Sequence, residues 1–263
     1  MSDRYAVIGN PVAHSKSPEI HAAFARATGQ DIEYGRLESP LHGFAETVER
    51  FRSSGGKGAN VTLPFKHEAF RLCKGVSERA RLAQAVNTMR FADSFGDNTD
   101  GVGLVRDLEH VGTRLGASKV LLLGAGGAAQ GVVGALLEAG VARLVIANRT
   151  VEKARALAAR FAGVTPCGFQ DLAGERFDLI INATSAGLAG ESPSVPPPVL
   201  KGARLAYDMV YGRDTPFLAA ARHAGVRAID GLGMLVEQAA ESFFVWRGVR
   251  PATRPVLELV RGA

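Results

Sequence analysis

A short segment within the first hundred residues carries three groups that could hold a polar small molecule. Residues 60–66 read NVTLPFK. Side chains alternate along a strand, so Asn60 and Thr62 face the same side and present an amide and a hydroxyl together. Pro64 ends the strand and places the ammonium group of Lys66 at the start of the next element. The spacing favours a binding site in which an amide, a hydroxyl and one ammonium group contact the same polar molecule.

Two further segments supply a second amide and a carboxylate. Residues 85–88 read AVNT and contain Asn87, and residues 98–101 read NTDG and contain Asp100. Taken singly, each of these polar residues is as consistent with a turn or a helix cap as with a binding site. Their joint occurrence favours the binding site.

The loop GNPVAHSKSP at residues 9–18 brings Ser15 and Ser17 to the entrance of a predicted helix. Two hydroxyls beside the free N–H groups of a helix start form a cradle for a small carboxylate. The alternative is that Ser17 only caps the helix, with Pro18 in the first turn. The loop on its own favours that alternative.

A glycine-rich turn follows the apolar run VLLL at residues 120–123 and reads GAGGAA. In a strand–turn–helix context, Gly124 permits the tight turn and Gly126 lets the backbone approach a pyrophosphate. Ala129 is small enough for close packing of helix on strand. The alternative is a tightly packed turn without a ligand. The predicted cofactor contacts of this turn are Gly124, Ala125, Gly126, Gly127 and Ala128.

The end of the next strand indicates which dinucleotide binds. It reads ANRT at residues 147–150, with Lys153 one turn into the following helix. An NAD site usually has Asp or Glu here, on the ribose 2′-hydroxyl. Arg149 and Lys153, with Asn148 and Thr150, suit the 2′-phosphate of NADP instead. The alternative is that Asn148 and Thr150 cap the helix and Arg149 is a solvated surface charge.

The order of apolar strands and amphipathic helices predicts an α/β protein of two domains. Residues 1–100 form an N-terminal α/β substrate domain, which the C-terminal helices at about 238–263 complete. Residues 101–237 alternate strand and helix, so we predict a Rossmann-type domain with a doubly wound parallel sheet. Residues 193–198 are predicted to be a surface loop because they are rich in proline. The active cleft is expected between the domains.

Charge and composition restrict the partners of the chain. It has 31 Lys and Arg against 26 Asp and Glu, a net charge of +5, with no run of five basic residues. Nucleic-acid binding is therefore not predicted, whereas an anionic substrate and cofactor suit the charge. The apolar stretch 120–147 contains Gln130, Glu138 and Arg143, so we predict no membrane span. Cys73 and Cys167 are far apart, which favours a reducing cytoplasm and no metal site.

With these motifs in this order, the chain resembles the shikimate dehydrogenase family from Val7 to about Gln238. Ala22 and Gln84 depart from the family pattern, where Asn and Gly are usual, and neither is a predicted ligand. Three more motifs carry the resemblance, namely NATSAG at 182–187, YDMVY at 207–211 and DGLGMLVEQ at 230–238.

The resemblance implies a role for each matching residue. Lys66 and Asp100 look like a catalytic pair that also contacts substrate. The carboxylate side of the substrate would bind Ser15, Ser17 and Thr62. Its hydroxyls would bind Asn60, Asn87, Asp100 and Gln238, with Tyr211 as a further contact. The nicotinamide and ribose end of the cofactor would meet Thr184, Met209, Gly231 and Met234.

The implied reaction is reduction of 3-dehydroshikimate to shikimate with NADPH, by a monomer or homodimer in aromatic amino acid biosynthesis. Lys66 as an ammonium would stabilise the developing alkoxide and donate a proton, while Asp100 orients it. Two alternatives remain at this point. One is an NAD-accepting quinate/shikimate dehydrogenase, and the other is a non-catalytic sensor of shikimate-type ligands.

Overall fold

The structure, a computed structural model, describes residues 2–193 and 195–262. The chain divides into two compact units. The first unit comprises Met1–Gly103 and Leu235–Ala263, and the second comprises Leu104–Met234. The sequence predicted divisions after residue 100 and near residue 238, a few residues from these positions.

A mixed six-stranded sheet forms the centre of the first unit, in the order β2-β1-β3-β5-β6-β4. Its strands are β1 Asp3–Gly9, β2 Ile32–Glu38, β3 Gly56–Val61, β4 Gly75–Val76, β5 Thr88–Arg90 and β6 Phe95–Asp97. β1 pairs in parallel with β2 and β3. β5 pairs antiparallel with β3 and with β6, so β5 and β6 form a hairpin.

The helices of the first unit cover this sheet with their apolar faces. They are α1 Ser17–Thr28, α2 Phe44–Ser53, α3 Lys66–Leu72 and α4 Glu78–Ala83. The core between sheet and helices contains Ile8, Phe44, Val61 and Phe65, each at most 2% exposed. Gln84 ends α4 with φ 52°, a left-handed conformation that glycine adopts most easily. This backbone explains why glycine is the usual residue there in the family pattern.

The suggestion that Ser17 caps its helix is wrong. Ser17 is the first residue of α1, the cap position is Lys16, and the Lys16 side chain makes no capping hydrogen bond. Pro18 lies in the first turn, where its missing N–H costs no helical hydrogen bond. The Ser17 hydroxyl is therefore available for a role other than capping.

The second unit is built on six parallel strands in the order β12-β11-β10-β7-β8-β9. The strands are β7 Lys119–Leu123, β8 Arg143–Ala147, β9 Val164–Cys167, β10 Leu179–Asn182, β11 Leu205–Asp208 and β12 Arg227–Asp230. The connecting helices are α5 Asp100–His110, α6 Gly127–Glu138, α7 Val151–Ala158, α8 Pro197–Leu200 and α9 Pro216–His223. The strand order reverses between β7 and β10, which is the Rossmann switch point, so the predicted fold class is confirmed.

Two local features differ from the sequence prediction. Residues 193–198 were predicted to be a loop, but α8 begins at Pro197, because proline has a preset φ that suits a first helical turn. β9 was not predicted, since VTPC lacks an apolar alternation. It lies at the edge of the sheet, where a strand tolerates a proline such as Pro166.

Two helices end the chain, α10 Leu232–Arg247 and α11 Arg254–Gly262. From Leu235 onward they belong to the first unit. Trp246 donates from Nε1 to the Met89 carbonyl at 3.0 Å, and Lys16 donates to the Val260 carbonyl at 2.9 Å. Within residues 2–193 and 195–262, no helix is long and apolar enough to cross a membrane.

Candidate active site

One edge of the first sheet collects the polar residues that the sequence singled out. β1 and β3 run in parallel, so the Ser15 loop and Thr62 follow their carboxyl ends at the same edge. β5 runs antiparallel to β3, so its start lies at this edge, and Asn87 directly precedes that start. Asp100 follows β6, which again ends here. The hairpin therefore brings an amide and a carboxylate beside a strand end more than twenty residues away.

Lys66 and Asp100 form an ion pair at this edge. Lys66 is the first residue of α3 and Asp100 the first of α5, and Lys66 Nζ donates to Asp100 Oδ2. Their side chains are 15% and 7% exposed. A charge pair so well shielded from water interacts more strongly than a surface pair does. The resemblance implied that these two groups pair, and the structure brings them together; their catalytic role stays a prediction.

The Asn87 side-chain amide is held in one orientation. Its Oδ1 accepts from the Thr99 backbone N–H and the Thr88 hydroxyl, both at 2.9 Å. Because a backbone N–H can only donate, Oδ1 and Nδ2 are assigned without ambiguity. Nδ2 faces Asp100 Oδ1 at 2.8 Å, Thr99 Oγ1 at 2.9 Å and Gln238 Oε1 at 3.2 Å. Asn87 thus fixes the second oxygen of the Asp100 carboxylate.

Asn60 lies beside Asn87 and is 5% exposed. Its Nδ2 donates to the Asn87 carbonyl at 3.1 Å and to Ser242 Oγ at 2.9 Å, with Thr88 Oγ1 at 3.2 Å. The Tyr34 hydroxyl donates to Asn60 Oδ1 at 2.8 Å. Both ends of this amide therefore have partners.

Ser15 and Ser17 lie together at the entrance of α1. Ser15 Oγ is 3.2 Å from Ser17 Oγ and accepts from the Ser17 N–H at 3.3 Å. Arg36 holds the Ser15 carbonyl through its Nε at 2.9 Å. A Cβ added at Gly9 would lie 2.4 Å from Thr62 Cγ2, so glycine is needed for the close approach of β1 to Thr62. The loop, Thr62 and the two serines form one polar end of this edge.

A second site lies at the carboxyl edge of the sheet in the second unit. The predicted cofactor residues Gly124, Asn148, Met209 and Gly231 each follow directly on a strand end, and Thr184 lies two residues after β10. Since parallel strands all end on the same side, these residues share one edge. Ligands of doubly wound sheets bind at this edge, next to the switch point.

The glycine-rich turn between β7 and α6 leaves space for a ligand. Gly124 has φ 106°, and a Cβ there would lie 3.2 Å from the Ala183 backbone. Gly126 is the cap residue of α6 without a side-chain cap, and a Cβ built on it meets nothing within 4 Å. Ala129 is fully buried, as its proposed packing role requires. The first N–H groups of α6, from Gly127 and Ala128 onward, remain for an anion.

The tip of β8 carries exposed cations. Arg149 and Lys153 are both exposed, on the turn that leads into α7. Asn148 donates from Nδ2 to the Thr150 carbonyl at 2.8 Å, so its side chain braces the turn. Thr150 is the cap residue of α7 but its side chain makes no capping hydrogen bond. A negatively charged group could therefore approach this tip without meeting a carboxylate at residues 147–150.

Strands β10, β11 and β12 fix the remaining predicted residues. Thr184 donates from its N–H and its hydroxyl to Asn182 Oδ1, at 3.1 and 2.7 Å. A Cβ at Gly231 would lie 2.4 Å from the Met209 carbonyl oxygen, so only glycine allows this approach. Met234 is 6% exposed. Tyr211 also lies in this unit, three residues after β11, whereas the other predicted substrate residues belong to the first unit.

Asp208 at the end of β11 connects residues near this edge through hydrogen bonds. It accepts from Thr215 Oγ1 at 2.6 Å, Asn182 Nδ2 at 3.2 Å and the Val210 N–H at 3.0 Å. Burial raises the pKa of its carboxyl group, although these three hydrogen bonds act in the opposite direction. The residue has a scaffold role that the sequence reading did not assign.

Sequence reasoning missed several residues that hold the first site together. Thr88 and Thr99 are neighbours of residues it named, and Ser242 lies one helical turn beyond Gln238, so spacing could have suggested them. Nothing in the pattern indicated Tyr34. The His21 ring is fully buried and stacks on Tyr34 with 4.2 Å between ring centroids. Burial lowers the pKa of its imidazole to about 3, so the ring is neutral near pH 7.

Comparison with known proteins covers both sites. The description "Shikimate dehydrogenase substrate binding domain" matches residues 7–89, "Shikimate / quinate 5-dehydrogenase" matches 107–189, and "Shikimate 5'-dehydrogenase C-terminal domain" matches 231–261. A protein from Nitrosospira multiformis named shikimate dehydrogenase (NADP(+)) is 57% identical, with 100% of this chain and 98% of that protein covered. One of the same name from Aromatoleum aromaticum is 58% identical, with 98% and 97% covered.

The chain belongs to the shikimate dehydrogenase family. This confirms the resemblance drawn from the motifs.

Solved structures agree with this family membership. An Ael1 enzyme from Pseudomonas putida superposes with a TM-score of 0.93 at 50% identity, with 98% of each chain covered. Shikimate 5-dehydrogenase from Thermus thermophilus, in complex with NADP(H) and shikimate, gives 0.89 at 34% identity, with 99% of each chain covered. No group of three or more His, Cys, Asp or Glu side chains that could hold a metal ion occurs among the residues that the structure describes.

Proposed function

We propose that this chain catalyses the reversible, NADPH-dependent reduction of 3-dehydroshikimate to shikimate in the biosynthesis of aromatic amino acids. The observation that carries the proposal is the shielded Lys66–Asp100 ion pair with Asn87 on the second carboxylate oxygen. The two relatives of 57% and 58% identity that carry the name shikimate dehydrogenase (NADP(+)) support it.

NADP fits the carboxyl edge of the second sheet. Open space at Gly126 and the uncapped start of α6 suit a pyrophosphate. Arg149 offers a planar, permanently charged group to a 2′-phosphate, and Lys153 adds a second cation. Asn148 and Thr150 complete this end, while Thr184, Met209, Gly231 and Met234 line the nicotinamide and ribose end. When bound, NADPH supplies the hydride that the ketone carbon accepts.

The substrate is held by neutral groups and by the ion pair. Ser15, Ser17 and Thr62 bind its carboxylate, and hydroxyl groups of the ring bind to Asn60, Asn87, Asp100 and Gln238. Tyr211 provides a further contact. The geometry of the edge supports this division, because Ser15 and Ser17 lie together, Thr62 follows the adjacent strand β3, and the two asparagines contact Asp100 or its neighbour.

Lys66 and Asp100 perform the proton chemistry. As negative charge develops on the ketone oxygen, the Lys66 ammonium stabilises it and donates a proton. Asp100 keeps Lys66 charged and oriented through Oδ2, and Asn87 keeps Asp100 in place through Oδ1. In the reverse direction the amine of Lys66 takes the hydroxyl proton.

We further propose that the first unit binds the substrate and that the second binds NADP. A monomer or homodimer in the cytoplasm is our expectation. Both cysteines are free, which suits a reducing compartment. Size-exclusion chromatography with light scattering would decide the oligomeric state.

A steady-state assay tests the proposal. The purified chain with shikimate and NADP⁺ should produce NADPH, followed by its absorbance, and quinate or NAD⁺ should give much lower kcat/KM. A kcat/KM for NAD⁺ equal to that for NADP⁺, together with a kcat/KM for quinate equal to that for shikimate, would favour the quinate/shikimate dehydrogenase alternative. Shikimate binding measured by calorimetry, with no turnover of either substrate, would instead indicate a ligand sensor.

A further inference from the structure

The Asn60 amide nitrogen has no hydrogen left for a ligand. Its two N–H bonds face the Asn87 carbonyl, Ser242 Oγ and Thr88 Oγ1. The Asn87 carbonyl can only accept, so Nδ2 must lie on that side of the amide. Oδ1 therefore points the other way, where the Tyr34 hydroxyl donates to it at 2.8 Å. An amide oxygen has two lone pairs, and the second has no partner among the described hydrogen bonds; the neighbouring His21 imidazole interacts with Asn60, but neither of its ring nitrogens makes a hydrogen bond.

The Tyr34 side chain is itself held in place by aromatic packing. Tyr34 comes from β2, and its ring lies flat on the His21 ring, with 4.2 Å between centroids and 6° between planes. Trp246 lies 6.3 Å away on the neighbouring side. A phenol whose ring is fixed can direct its O–H at one acceptor with little loss of rotational freedom.

We propose that Tyr34 is a positioning and specificity-determining residue: its hydroxyl occupies one lone pair of Asn60 Oδ1, so that the other lone pair is directed at a substrate hydroxyl and accepts a hydrogen bond from it. The proposal rests on the proposed function and assigns a role to a residue outside the substrate-binding set. A substrate analogue with a ketone in place of this hydroxyl has an oxygen that can only accept. That oxygen would face Asn60 Oδ1 without a proton between them. The site therefore discriminates a hydroxyl from a carbonyl at the carbon that Asn60 contacts.

Tyr34→Phe is the direct test, since it removes the hydroxyl and keeps the ring on His21. We expect the KM for shikimate to rise roughly three- to tenfold, the effect of one neutral hydrogen bond. The kcat and the KM for NADP⁺ should stay within about twofold, because the Tyr34 hydroxyl acts on Asn60, whereas the proton chemistry is proposed for Lys66 and Asp100.

Tyr5→Phe is the matched control. Tyr5 pairs with Tyr34 across β1 and β2, and its ring stacks on the same Trp246 with 4.5 Å between centroids. Its hydroxyl interacts with Arg247 and not with Asn60. This variant makes the same chemical change in the same aromatic cluster, so its KM for shikimate should equal that of the wild type.

A double-mutant cycle decides whether Tyr34 acts through Asn60. If it does, Tyr34→Phe should have no further effect on the KM for shikimate in an Asn60→Ala background. Additive effects of the two changes, or equal effects of Tyr34→Phe and Tyr5→Phe, would overturn the proposal. A wild-type chain that does not oxidise shikimate at all would overturn the proposed function instead, so the two failures are distinguishable.

Discussion

The two oxygens of the Asp100 carboxylate have separate partners, Lys66 on one side and Asn87 on the other. A buried ion pair rarely adds net stability, because removing two charges from water costs about as much as their attraction returns. Apolar side chains of similar volume would stabilise the same position equally well. The pair is therefore better explained by its chemistry than by the stability of the fold, which agrees with its proposed role in proton transfer.

The Lys66 ammonium should matter for the rate more than for binding. Lys66→Ala should lower kcat by on the order of a hundredfold or more, the usual effect of losing a general acid. The KM for shikimate should change much less, because neutral groups supply most of the contacts. Lys57→Ala, an exposed lysine on β3, is the control and should leave both constants unchanged. A raised KM with unchanged kcat would make Lys66 a binding residue only.

His21 should make the stability of the fold sensitive to acid. Its pKa is about 3 in the folded chain, against an ordinary value of 6.5, because the ring is fully buried. Between these values the unfolded chain binds a proton that the folded chain does not, so the free energy of unfolding falls as the pH is lowered. From pH 7 to pH 5 this amounts to about 2 kcal/mol, at about 1.4 kcal/mol per pH unit below the ordinary pKa.

Urea unfolding at the two pH values measures this effect. His21→Phe keeps an aromatic ring beside Tyr34 and Phe24 but cannot bind the proton, so it should lose about 2 kcal/mol less than the wild type between pH 7 and pH 5. His42→Phe changes an exposed histidine and should show the wild-type loss. An identical pH dependence in all three proteins would mean that His21 is protonated in the folded state at pH 5.

At the scale of elements, strand ends explain which predictions could be made from the sequence. Motifs that follow a parallel strand meet at one edge without further information, and this applies to Gly124, Arg149 and Met209 alike. The meeting of Lys66 with Asp100 was expected from the family resemblance, and the antiparallel pairing of β5 with β6 places Asp100 at this edge. β9 could not, because an edge strand need not show an apolar alternation.

Side-chain networks were less accessible from the sequence than strand ends. Tyr34 and Asn60 come from different strands, and Ser242 lies 182 residues beyond Asn60. No local spacing connects such residues, since each one alone has the pattern of an ordinary core or cap position. The same ambiguity produced the wrong helix-cap reading of Ser17, which only the backbone of Lys16 and Ser17 resolves.

The tip of β8 should decide the choice of cofactor. A charge-assisted hydrogen bond contributes about 1.5–3 kcal/mol, so Arg149→Ala should weaken NADP⁺ binding by roughly ten- to a hundredfold. NAD⁺ has no 2′-phosphate, and its dissociation constant should hardly change. Higher salt should reduce the preference of the wild type for NADP⁺, because the contact is exposed. Arg204→Ala, at the opposite end of β11, is the control and should bind both cofactors normally.

At the scale of the whole molecule, the two sheets divide the chemistry between them. All the predicted proton-transfer groups lie in the mixed sheet's unit, and all the predicted cofactor residues lie in the parallel sheet's unit. Substitution of the proton-transfer residues should therefore leave cofactor binding intact, and substitution of the cofactor residues should leave substrate binding intact. The family and the α/β fold could both be predicted because each unit is formed mainly by one contiguous segment of the chain. Only the residues from Leu235 onward return to the first unit.

Ligand-linked stability measures this division without turnover. A ligand that binds only the folded chain raises its free energy of unfolding, by about 2.7 kcal/mol at one hundred times the dissociation constant. NADP⁺ at that concentration should raise the Tm by on the order of 5 °C. NAD⁺ at the same concentration, binding roughly ten- to a hundredfold more weakly, should contribute only about 0.4–1.4 kcal/mol. Lys66→Ala, although nearly inactive, should show the full NADP⁺ effect, because Lys66 belongs to the other unit. Loss of the NADP⁺ effect on Tm in Lys66→Ala would contradict the assignment of cofactor binding and proton transfer to separate units. Equal effects of NADP⁺ and NAD⁺ on the Tm of the wild type would favour the NAD-accepting alternative.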